Sequence, residues 1–276
     1  MKSQNLDALS RIVDLDKIEA TKNSINEANG LPNECYLNDE YFKIEREKVF
    51  FNNWIVVGVS SSVPEVGDAK PFNLMGIPLL ILRDKNNKIK VFHNVCSHRG
   101  MILVKEECKL KNTIRCPYHS WSYNFNGELI ATPHVGGMNI HETEGFIKSK
   151  SNLKEISTHV WMDLIFINVN KNKKDFEESI DPLEKQWSKF ISKEDQKLIR
   201  HARDFGYFNM EVKSNWKLAI ENYCESYHLP WVHPELNRVS NLKDHYHIED
   251  LAETFSGQGS NKYSQQFDGN KKLLTF

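Results

Sequence analysis

The sequence contains 276 residues, of which 39% are hydrophobic and 26% are charged, an ordinary globular composition that suits about two modest domains. Its 36 Lys and Arg residues nearly balance its 37 Asp and Glu residues, so the charge gives no reason to expect a nucleic-acid partner. The N-terminal stretch lacks the apolar core of a signal peptide, and no apolar run approaches the roughly 18 residues of a membrane-spanning helix. We therefore expect a soluble, cytoplasmic protein with no membrane partner.

In chain order, residues 1–44 are polar and are predicted to be partly helical, with a break at NGLPNE. The apolar run at residues 54–59 predicts a strand, and residues 78–82 and 89–95 predict a hairpin joined by the turn DKNNK. The stretch NTIRCPYHSWSYNFNGELI predicts strand, loop and strand, and HVWMDLIFINVN predicts one further strand. These elements define a small β-rich domain over residues 45–170.

The remaining residues, 171–276, have a different pattern. The stretch KKDFEESIDPLEKQWSKF is charged and predicts a surface helix. The next segment, DFGYFNMEV, is strand-like, and a helix is predicted from about Ser214. The apolar residues of that helix recur at near-helical spacing: Trp216, Ala219, Ile220, Tyr223 and Tyr227. Pro230 is expected to end the helix. Because a β-rich domain is followed by helical segments, the chain as a whole is predicted to be α+β.

Cysteine and histidine occur together in two short motifs, CSHRG and CPYHSW. Cys96 and His98 lie in the first motif, just beyond a predicted strand, and Cys116 and His119 lie in the second. An odd number of cysteines in a cytoplasmic protein does not favour a disulfide framework. Because each motif offers one sulfur and one nitrogen, we interpret the pair as a metal centre.

Four interpretations of these motifs can be weighed. A zinc finger normally pairs Cys with Cys and His with His, and a c-type haem requires C-x-x-C-H, which is absent from the sequence. Chance proximity is the ordinary alternative, and it is weakened by two similar loops at two predicted strand ends. A [2Fe–2S] cluster with split ligation binds one iron through two cysteines and the other through two histidines. If each loop gives one ligand to each iron, the alternation of Cys and His is explained.

The motifs FHNVCSHRG and CPYHSWSYNFNG, with residues 99–115 lying between His98 and Cys116, closely resemble the signature of the Rieske domain of ring-hydroxylating and related oxygenases. The resemblance implies that Cys96 and Cys116 hold one iron and that His98 and His119 hold the other. Neutral imidazoles in place of thiolates reduce the negative charge of the cluster. They therefore raise its potential into a range of roughly −150 to +300 mV.

A second group of candidate ligands lies in ENYCESYHLPWVH. Glu225 and His228 have the spacing of residues on one face of a helix, and His233 follows beyond Pro230. Two histidines and one carboxylate form the facial triad of non-haem iron oxygenases, which leaves open positions for O₂. A solvated helix face is the ordinary alternative. A di-iron bundle is disfavoured because it needs two Glu-x-x-His motifs and the sequence has one.

The stretch NWKLAIENYCESYHLPWVH resembles the catalytic-domain motif of the same oxygenases. The resemblance implies that His228 and His233 bind a mononuclear Fe(II). It also implies a head-to-tail homotrimer in which Glu225 links His228 of one subunit to the cluster ligand His119 of the next. Such a carboxylate would fix the orientation of both imidazoles and shorten the path of the electron.

The resemblance covers nearly all of this sequence but only about the first two-thirds of a typical family member. It implies an all-β Rieske domain over residues 45–170. Residues 1–44 and 171–276 would form the N-terminal segment and the first part of a helix-grip α+β catalytic domain, which we expect to be truncated at its C-terminus. The third iron ligand of the family is an Asp or Glu much further along, and none of the nearer acids lies at that distance: Asp244, Glu249, Asp250, Glu253 and Asp268.

The function implied by the resemblance is that of an oxygenase terminal component, a mono- or dioxygenase acting on O₂ and a small organic substrate. Electrons from NAD(P)H would arrive through a separate reductase, with or without a ferredoxin, since no G-x-G-x-x-G fingerprint occurs in the chain. The arrangement EN-x-x-E-x-YH is nearest to the branch that oxidises choline, carnitine and betaines, which favours a quaternary ammonium substrate. The alternatives are a Rieske ferredoxin-like electron carrier and an inactive fragment.

Overall fold

The computed structural model describes residues 9–24, 26–170, 175–202, 210–249 and 255–262, together with the backbone of two short strands at 266–268 and 271–273. The chain divides into two compact units. One unit comprises Lys43–Ser179 and Trp187–Phe208, and the other comprises Met1–Phe42, Ile180–Gln186 and Asn209–Phe276. Along the described residues, no helix has the length and apolar character needed to cross a bilayer.

The first unit is built from antiparallel strands. In chain order they are β1 (Ile55–Val59), β2 (Asp68–Leu74), β3 (Ile77–Arg83), β4 (Ile89–His93), β5 (Cys108–Lys109), β6 (Ile114–Arg115), β7 (Ser122–Tyr123), β8 (Leu129–Ala131), β9 (Glu155–Trp161) and β10 (Leu164–Asn168). One sheet has the strand order β1-β10-β9-β4-β3-β2-β5, and a smaller sheet has the order β6-β7-β8. The predicted hairpin is confirmed, since β3 pairs with β4 from Leu79 opposite His93 to Arg83 opposite Ile89.

Strand β3 supplies side chains to two hydrophobic clusters because successive side chains of a strand point to opposite faces. Leu79 and Ile81 pack in one cluster with residues of β4, β9 and β10. Leu80 and Leu82 pack in the other cluster, which also contains Cys96 and Cys116. The two candidate cysteine ligands are therefore part of the hydrophobic core of the β-rich unit.

The single strand predicted for HVWMDLIFINVN is wrong, because the segment forms the hairpin of β9 and β10 with Trp161 opposite Leu164. Met162 and Asp163 form its turn, with φ values of 50° and 66°. Primed hairpin turns require positive φ and are usually marked by Asn or Gly, so an apolar run containing Met-Asp does not show the turn. The carboxylate of Asp163 is held by backbone N–H groups of Ser61 at 3.1 Å and His201 at 2.9 Å, which stabilises it in this position.

The described residues form the helices α1 (Leu15–Glu19), α2 (Glu34–Leu37), α3 (Asp39–Glu45), α4 (Phe176–Trp187), α5 (Lys193–Gln196), α6 (Trp216–Cys224), α7 (Leu229–Val232) and α8 (Pro234–Val239), most of which are short. The second unit also contains two antiparallel hairpins. They pair β11 (His245–Glu249) with β12 (Ser256–Ser260) and β13 (Gln266–Asp268) with β14 (Lys271–Leu273). The strand-like stretch expected before α6 falls largely on residues 203–209, outside the described residues.

The helix predicted from Ser214 to Pro230 is in fact two helices, so the prediction that Glu225 and His228 share a helix face is wrong. Helix α6 begins after Asn215, whose side chain accepts the Lys217 N–H at 3.1 Å, and it ends at Cys224. Glu225 has extended backbone angles, and His228 is the N-cap of α7. Pro230 lies in the first turn of α7, where its missing N–H leaves no hydrogen bond unmade.

The side chain of α6 that is buried is Lys217, whereas the stripe residues Ile220 and Tyr223 are exposed. The Lys217 ammonium lies 5.1–5.5 Å from the ring centroids of three aromatic residues, Tyr36, Tyr41 and Trp216. Attraction between a cation and the faces of these rings offsets part of the cost of burying the charge. The apolar spacing therefore did not identify the buried face of the helix.

Candidate metal centres

The CSHRG loop follows β4 and is closed by its own backbone. The Cys96 N–H donates to the Met101 carbonyl oxygen at 2.8 Å, and the Gly100 N–H donates to the Cys96 carbonyl oxygen at 3.0 Å. Gly100 has a φ of 73°, a left-handed conformation that glycine adopts without a side-chain clash. This tight turn leaves Cys96 buried and His98 exposed.

The CPYHSW loop repeats this closure after β6. The Cys116 N–H donates to the Trp121 carbonyl oxygen at 2.8 Å, and the Ser120 N–H donates to the Cys116 carbonyl oxygen at 3.1 Å. Ser120 has a φ of 60°, so it takes the left-handed position that Gly100 takes in the first loop. The two loops therefore hold their cysteines at equivalent points of equivalent turns.

The four predicted cluster ligands come together between these loops. Cys96 and Cys116 are each only 2% exposed and belong to the same hydrophobic cluster, and the ring centroids of His98 and His119 are 4.8 Å apart. Burial raises the pKa of the Cys96 thiol, and the neighbouring Cys116 thiol acts in the same direction. Partial desolvation lowers the pKa of the largely exposed His98, and the neighbouring His119 and Arg99 add to this shift, which favours the neutral imidazole.

The residues fit a split-ligated [2Fe–2S] cluster. The Nδ1 atom of His119 is buried and has no hydrogen-bond partner, which is unusual for a buried polar atom and suits a nitrogen that binds a metal. Within the part of the chain that the structure describes, no group of three or more His, Cys, Asp and Glu side chains could hold a single ion. A cluster that takes two protein ligands at each iron does not need such a group.

Aromatic rings cover the histidines of this site. His98 stacks on Trp121 with ring centroids 4.6 Å apart, and the Tyr118 ring lies 3.8 Å from His119. Phe146 packs edge-on against Trp121 at 5.6 Å. These contacts fix the orientation of the two imidazoles in the absence of any hydrogen bond at His119 Nδ1.

Sequence reasoning missed Tyr123, which is fully buried beside the first loop. Its hydroxyl oxygen lies 3.2 Å from Cys96 Sγ and 2.9 Å from Ser97 Oγ, and Ser97 Oγ donates to the Ser151 carbonyl oxygen at 2.6 Å. Burial raises the pKa of Tyr123 well above its usual value, so the phenol keeps its proton. The signal that could have found Tyr123 is its position two residues after Trp121, on the same face of the strand.

The second candidate site lies where α6 ends and α7 begins. The Glu225 carboxylate is hydrogen-bonded to His228 Nδ1 and also accepts the His228 N–H at 3.4 Å. Helix α7 is a single turn, closed by a hydrogen bond from the His233 N–H to the Leu229 carbonyl oxygen at 2.9 Å. His228 and His233 flank this turn, and their ring centroids are 5.4 Å apart.

The contact between Glu225 and His228 determines how this site could bind a metal. With Nδ1 of His228 bonded to the carboxylate, Nε2 is the ring nitrogen that can bind a cation, the usual arrangement of a carboxylate behind a histidine ligand. His233 lies close enough to supply a second nitrogen. The third ligand stays unassigned, since Asp250 and Glu253 lie outside the described residues and no third acid joins the pair among those described.

Comparisons with known proteins match both regions. The family model for the Rieske [2Fe-2S] domain matches residues 53–144, and the model for the ring hydroxylating alpha subunit (catalytic domain) matches residues 199–275. The carnitine monooxygenase oxygenase subunit of Acinetobacter pittii (strain PHEA-2) is 29% identical over 203 residues, which are 74% of this chain and 52% of that protein. The chloroplastic choline monooxygenase of Arabidopsis thaliana is 26% identical over 264 residues, 91% of this chain and 60% of that protein.

A solved structure is also similar to this chain. The quaternary ammonium Rieske monooxygenase CntA in complex with its substrate gamma-butyrobetaine matches with a TM-score of 0.67 and 27% identity. The match covers 79% of this chain and 58% of that chain. This chain therefore spans about half the length of the curated relatives that it matches first.

Proposed function

We propose a function for this chain from the premise that it belongs to the Rieske oxygenases, since it carries a Rieske [2Fe–2S] domain and a ring-hydroxylating alpha-subunit catalytic domain. The chain is the terminal component of an oxygenase, receives electrons from a separate reductase, and acts on O₂ and a small organic substrate. The observation that carries the proposal is the Glu225–His228–His233 arrangement in a chain that also has the two cluster loops. An electron carrier would have no use for this second site.

The protein residues divide the work between two centres. Cys96, Cys116, His98 and His119 would hold the [2Fe–2S] cluster, and His228 and His233 would hold the mononuclear Fe(II). When bound, the cluster supplies one-electron transfer and the mononuclear iron supplies oxygen chemistry. The hydrophobic core around the cysteines excludes water from the sulfur ligands.

Glu225 acts through His228 in this proposal. Its carboxylate accepts a hydrogen bond from His228 Nδ1–H, and this contact fixes the tautomer and the ring orientation of His228. We further propose that in a homotrimer the same carboxylate faces the partner subunit's His119. This contact would complete a path of hydrogen bonds from one imidazole to the other.

The substrate class is a quaternary ammonium compound. The motif EN-x-x-E-x-YH and the printed names of the relatives, carnitine and choline monooxygenases, support this assignment. The quaternary nitrogen of such a compound has no N–H to donate, so recognition of its charge depends on aromatic faces and carboxylates.

The test begins with anaerobic reconstitution of the whole chain with iron and sulfide, followed by metal analysis and spectroscopy. The proposal expects two irons and two sulfides bound per cluster, the red-brown colour of a Rieske centre and a rhombic EPR signal after reduction. A colourless protein that holds one zinc, with neither iron nor sulfide, would overturn it. For the substrate, oxygen uptake with a reductase should respond to carnitine, choline or betaine more than to naphthalene or benzoate.

A further inference from the structure

The candidate ligands of the second site lie on one segment, which runs from the end of α6 to the end of α8. Glu225 follows the last residue of α6, His228 is the N-cap of α7, and His233 is the N-cap of α8. The His233 carbonyl oxygen accepts the Asn237 N–H at 2.9 Å, which ties this ligand to the first turn of α8. The directions of α6 and α8 therefore set the positions of all three side chains.

The end of α6 is held by a side chain from strand β12. The last carbonyl groups of a helix have no partner within it, and α6 does not continue because Glu225 has extended backbone angles. The Gln258 side chain donates from Nε2 to the Tyr223 carbonyl oxygen at 2.8 Å. Because a carbonyl oxygen can only accept, this contact also fixes which way the Gln258 amide points. Gln258 thereby secures the last turn of α6 just before Glu225.

The other end of the Gln258 amide faces His245 on β11. Gln258 Oε1 lies 3.2 Å from His245 Nδ1, and since an amide oxygen only accepts, Nδ1 carries the proton of this hydrogen bond. The opposite ring nitrogen, His245 Nε2, lies 2.9 Å from Ser240 Oγ and 3.2 Å from the Ser240 carbonyl oxygen. Ser240 is the C-cap of α8. Hydrogen bonds through the side chains of His245 and Gln258 therefore connect the end of α8 with the end of α6.

The hairpin of β11 and β12 keeps these two side chains next to each other. Its strands pair in antiparallel register with His247 opposite Gln258. His245 lies two residues before His247, so its side chain is on the same face of the hairpin as Gln258. Gly259 allows the Tyr246 ring to pack on the other face, since a Cβ atom at this position would lie 2.6 Å from the ring. The connection is thus built on a paired hairpin and not on a loop.

We propose that Gln258 and His245 are positioning residues of the second metal site, because they join the two ends of the segment that carries its ligands. Residues that are ordered before a metal arrives lose less conformational freedom when they bind it. The connection acts through α6 and α8 and raises the affinity of the site for Fe(II). The inference rests on the proposed function, in which His228 and His233 hold the mononuclear iron.

The test is anaerobic equilibrium dialysis of the whole reconstituted chain against a series of free Fe(II) concentrations, followed by iron and sulfide analysis. A [2Fe–2S] cluster contributes one iron per sulfide, so the iron in excess of sulfide reports the second site. His228→Ala gives the level of non-specific binding. In Gln258→Ala, half-occupancy should require about two- to tenfold more Fe(II) than in the parent, the effect of one lost hydrogen bond. Ser256→Ala, at an exposed position of the same strand, should bind like the parent.

Two further measurements separate positioning from a general loss of structure. Ser240→Ala removes one contact at the α8 end and should weaken Fe(II) binding less than Gln258→Ala does, whereas Ser240→Thr keeps the hydroxyl and should restore the parent affinity. Before Fe(II) is added, hydrogen exchange in Gln258→Ala should be faster at the amides of residues 224–239 and unchanged at those of residues 26–42, which belong to the same unit. A general loss of structure would raise exchange in both ranges.

The outcomes separate this inference from the proposed function. A parent chain that binds no more Fe(II) than His228→Ala contradicts the assignment of the iron site, and the inference falls with it. If the parent has a specific Fe(II) site and Gln258→Ala has the same affinity, only the positioning role is contradicted. If Gln258→Ala does not fold, the two Ser240 variants decide, and equal Fe(II) affinity of Ser240→Ala and Ser240→Thr would overturn the inference.

Discussion

The two candidate metal sites differ in how they are held. The cluster loops close on themselves through paired backbone hydrogen bonds, and their cysteines belong to the core of the β-rich unit. The second site is held by a one-turn helix and one carboxylate–imidazole contact. Its large neighbours Tyr227 and Trp231 are 72% and 80% exposed. The first site is fixed by its own fold, whereas the second depends on very few contacts.

The difference between the sites has a physical consequence. A ligand set held by a packed core and by closed backbone turns loses little conformational freedom when it binds a metal. A ligand set held by one short helix must lose more conformational freedom when it binds a metal. We therefore expect the cluster site to tolerate changes around it and to fail only when a ligand is removed. The iron site should respond to changes in the residues that orient its ligands.

The largest effect is expected from Cys116→Ser. A hydroxyl is a poor substitute for a thiolate, so the chain should lose essentially all of its cluster absorbance, iron and sulfide. The matched control is Cys108→Ser, since Cys108 is exposed on β5 and lies outside the loop closure. Far-ultraviolet circular dichroism should be unchanged in both variants. Retention of a parent-like cluster in Cys116→Ser would exclude this residue as a ligand.

The next effect is expected from Glu225→Gln, which keeps the size of the side chain but removes its charge. Outer partners of histidine ligands typically contribute about 10–100-fold to metal affinity or activity. Substrate-dependent oxygen uptake should fall by about that factor, while the cluster spectrum stays unchanged. Glu235→Gln is the control, because Glu235 is exposed and pairs with Arg238. Full activity in Glu225→Gln would mean that the contact with His228 has no role in turnover.

The sequence predicted the cluster loops more completely than the second site, and the reason lies in the range of the interactions. Each cluster motif is a local turn that follows a strand, and its two ligands lie within four residues of each other. The spacing of Glu225 and His228 fits one helix as well as a helix end followed by a new N-cap. No Gly or Pro marks the end of α6 at Cys224, so this boundary was not visible in the sequence.

The features that sequence reasoning missed depend on contacts between distant segments. Tyr123 on β7 contacts Ser97 and Cys96 of the first cluster loop, and Lys217 is buried against aromatic residues of the N-terminal helices. A lysine in an apolar stripe is ordinarily taken for a solvated position. The α+β class, with a Rieske domain and a catalytic domain, is confirmed. The assignments of individual ligands stay predictions.

A smaller effect is expected from Lys217→Met, which keeps the length of the side chain and removes its charge. Loss of the attraction to the surrounding rings should lower the free energy of unfolding of the second unit by about 1–2 kcal/mol. The cluster spectrum should not change, because the cluster ligands belong to the other unit. Urea denaturation followed by circular dichroism measures the difference. Lys213→Met, at an exposed position, is the control. Equal effects of both variants would contradict the role of the aromatic rings.

The smallest effect concerns pH and the β-rich unit. Burial lowers the pKa of His159, which stacks on Phe176 at 3.9 Å, although the nearby Glu177 carboxylate opposes the shift. Because the unfolded chain binds the proton more readily, stability is unaffected well above pH 6.5 and falls as the pH drops through that value. His159→Phe keeps the stacking and removes the titration, so its free energy of unfolding should fall less between pH 7.5 and pH 6 than that of the parent. Thr158→Val is the control. Neither Thr nor Val takes up a proton, so this substitution should change the free energy of unfolding by the same amount at both pH values. A parent-like fall in His159→Phe would show that other groups carry the acid sensitivity.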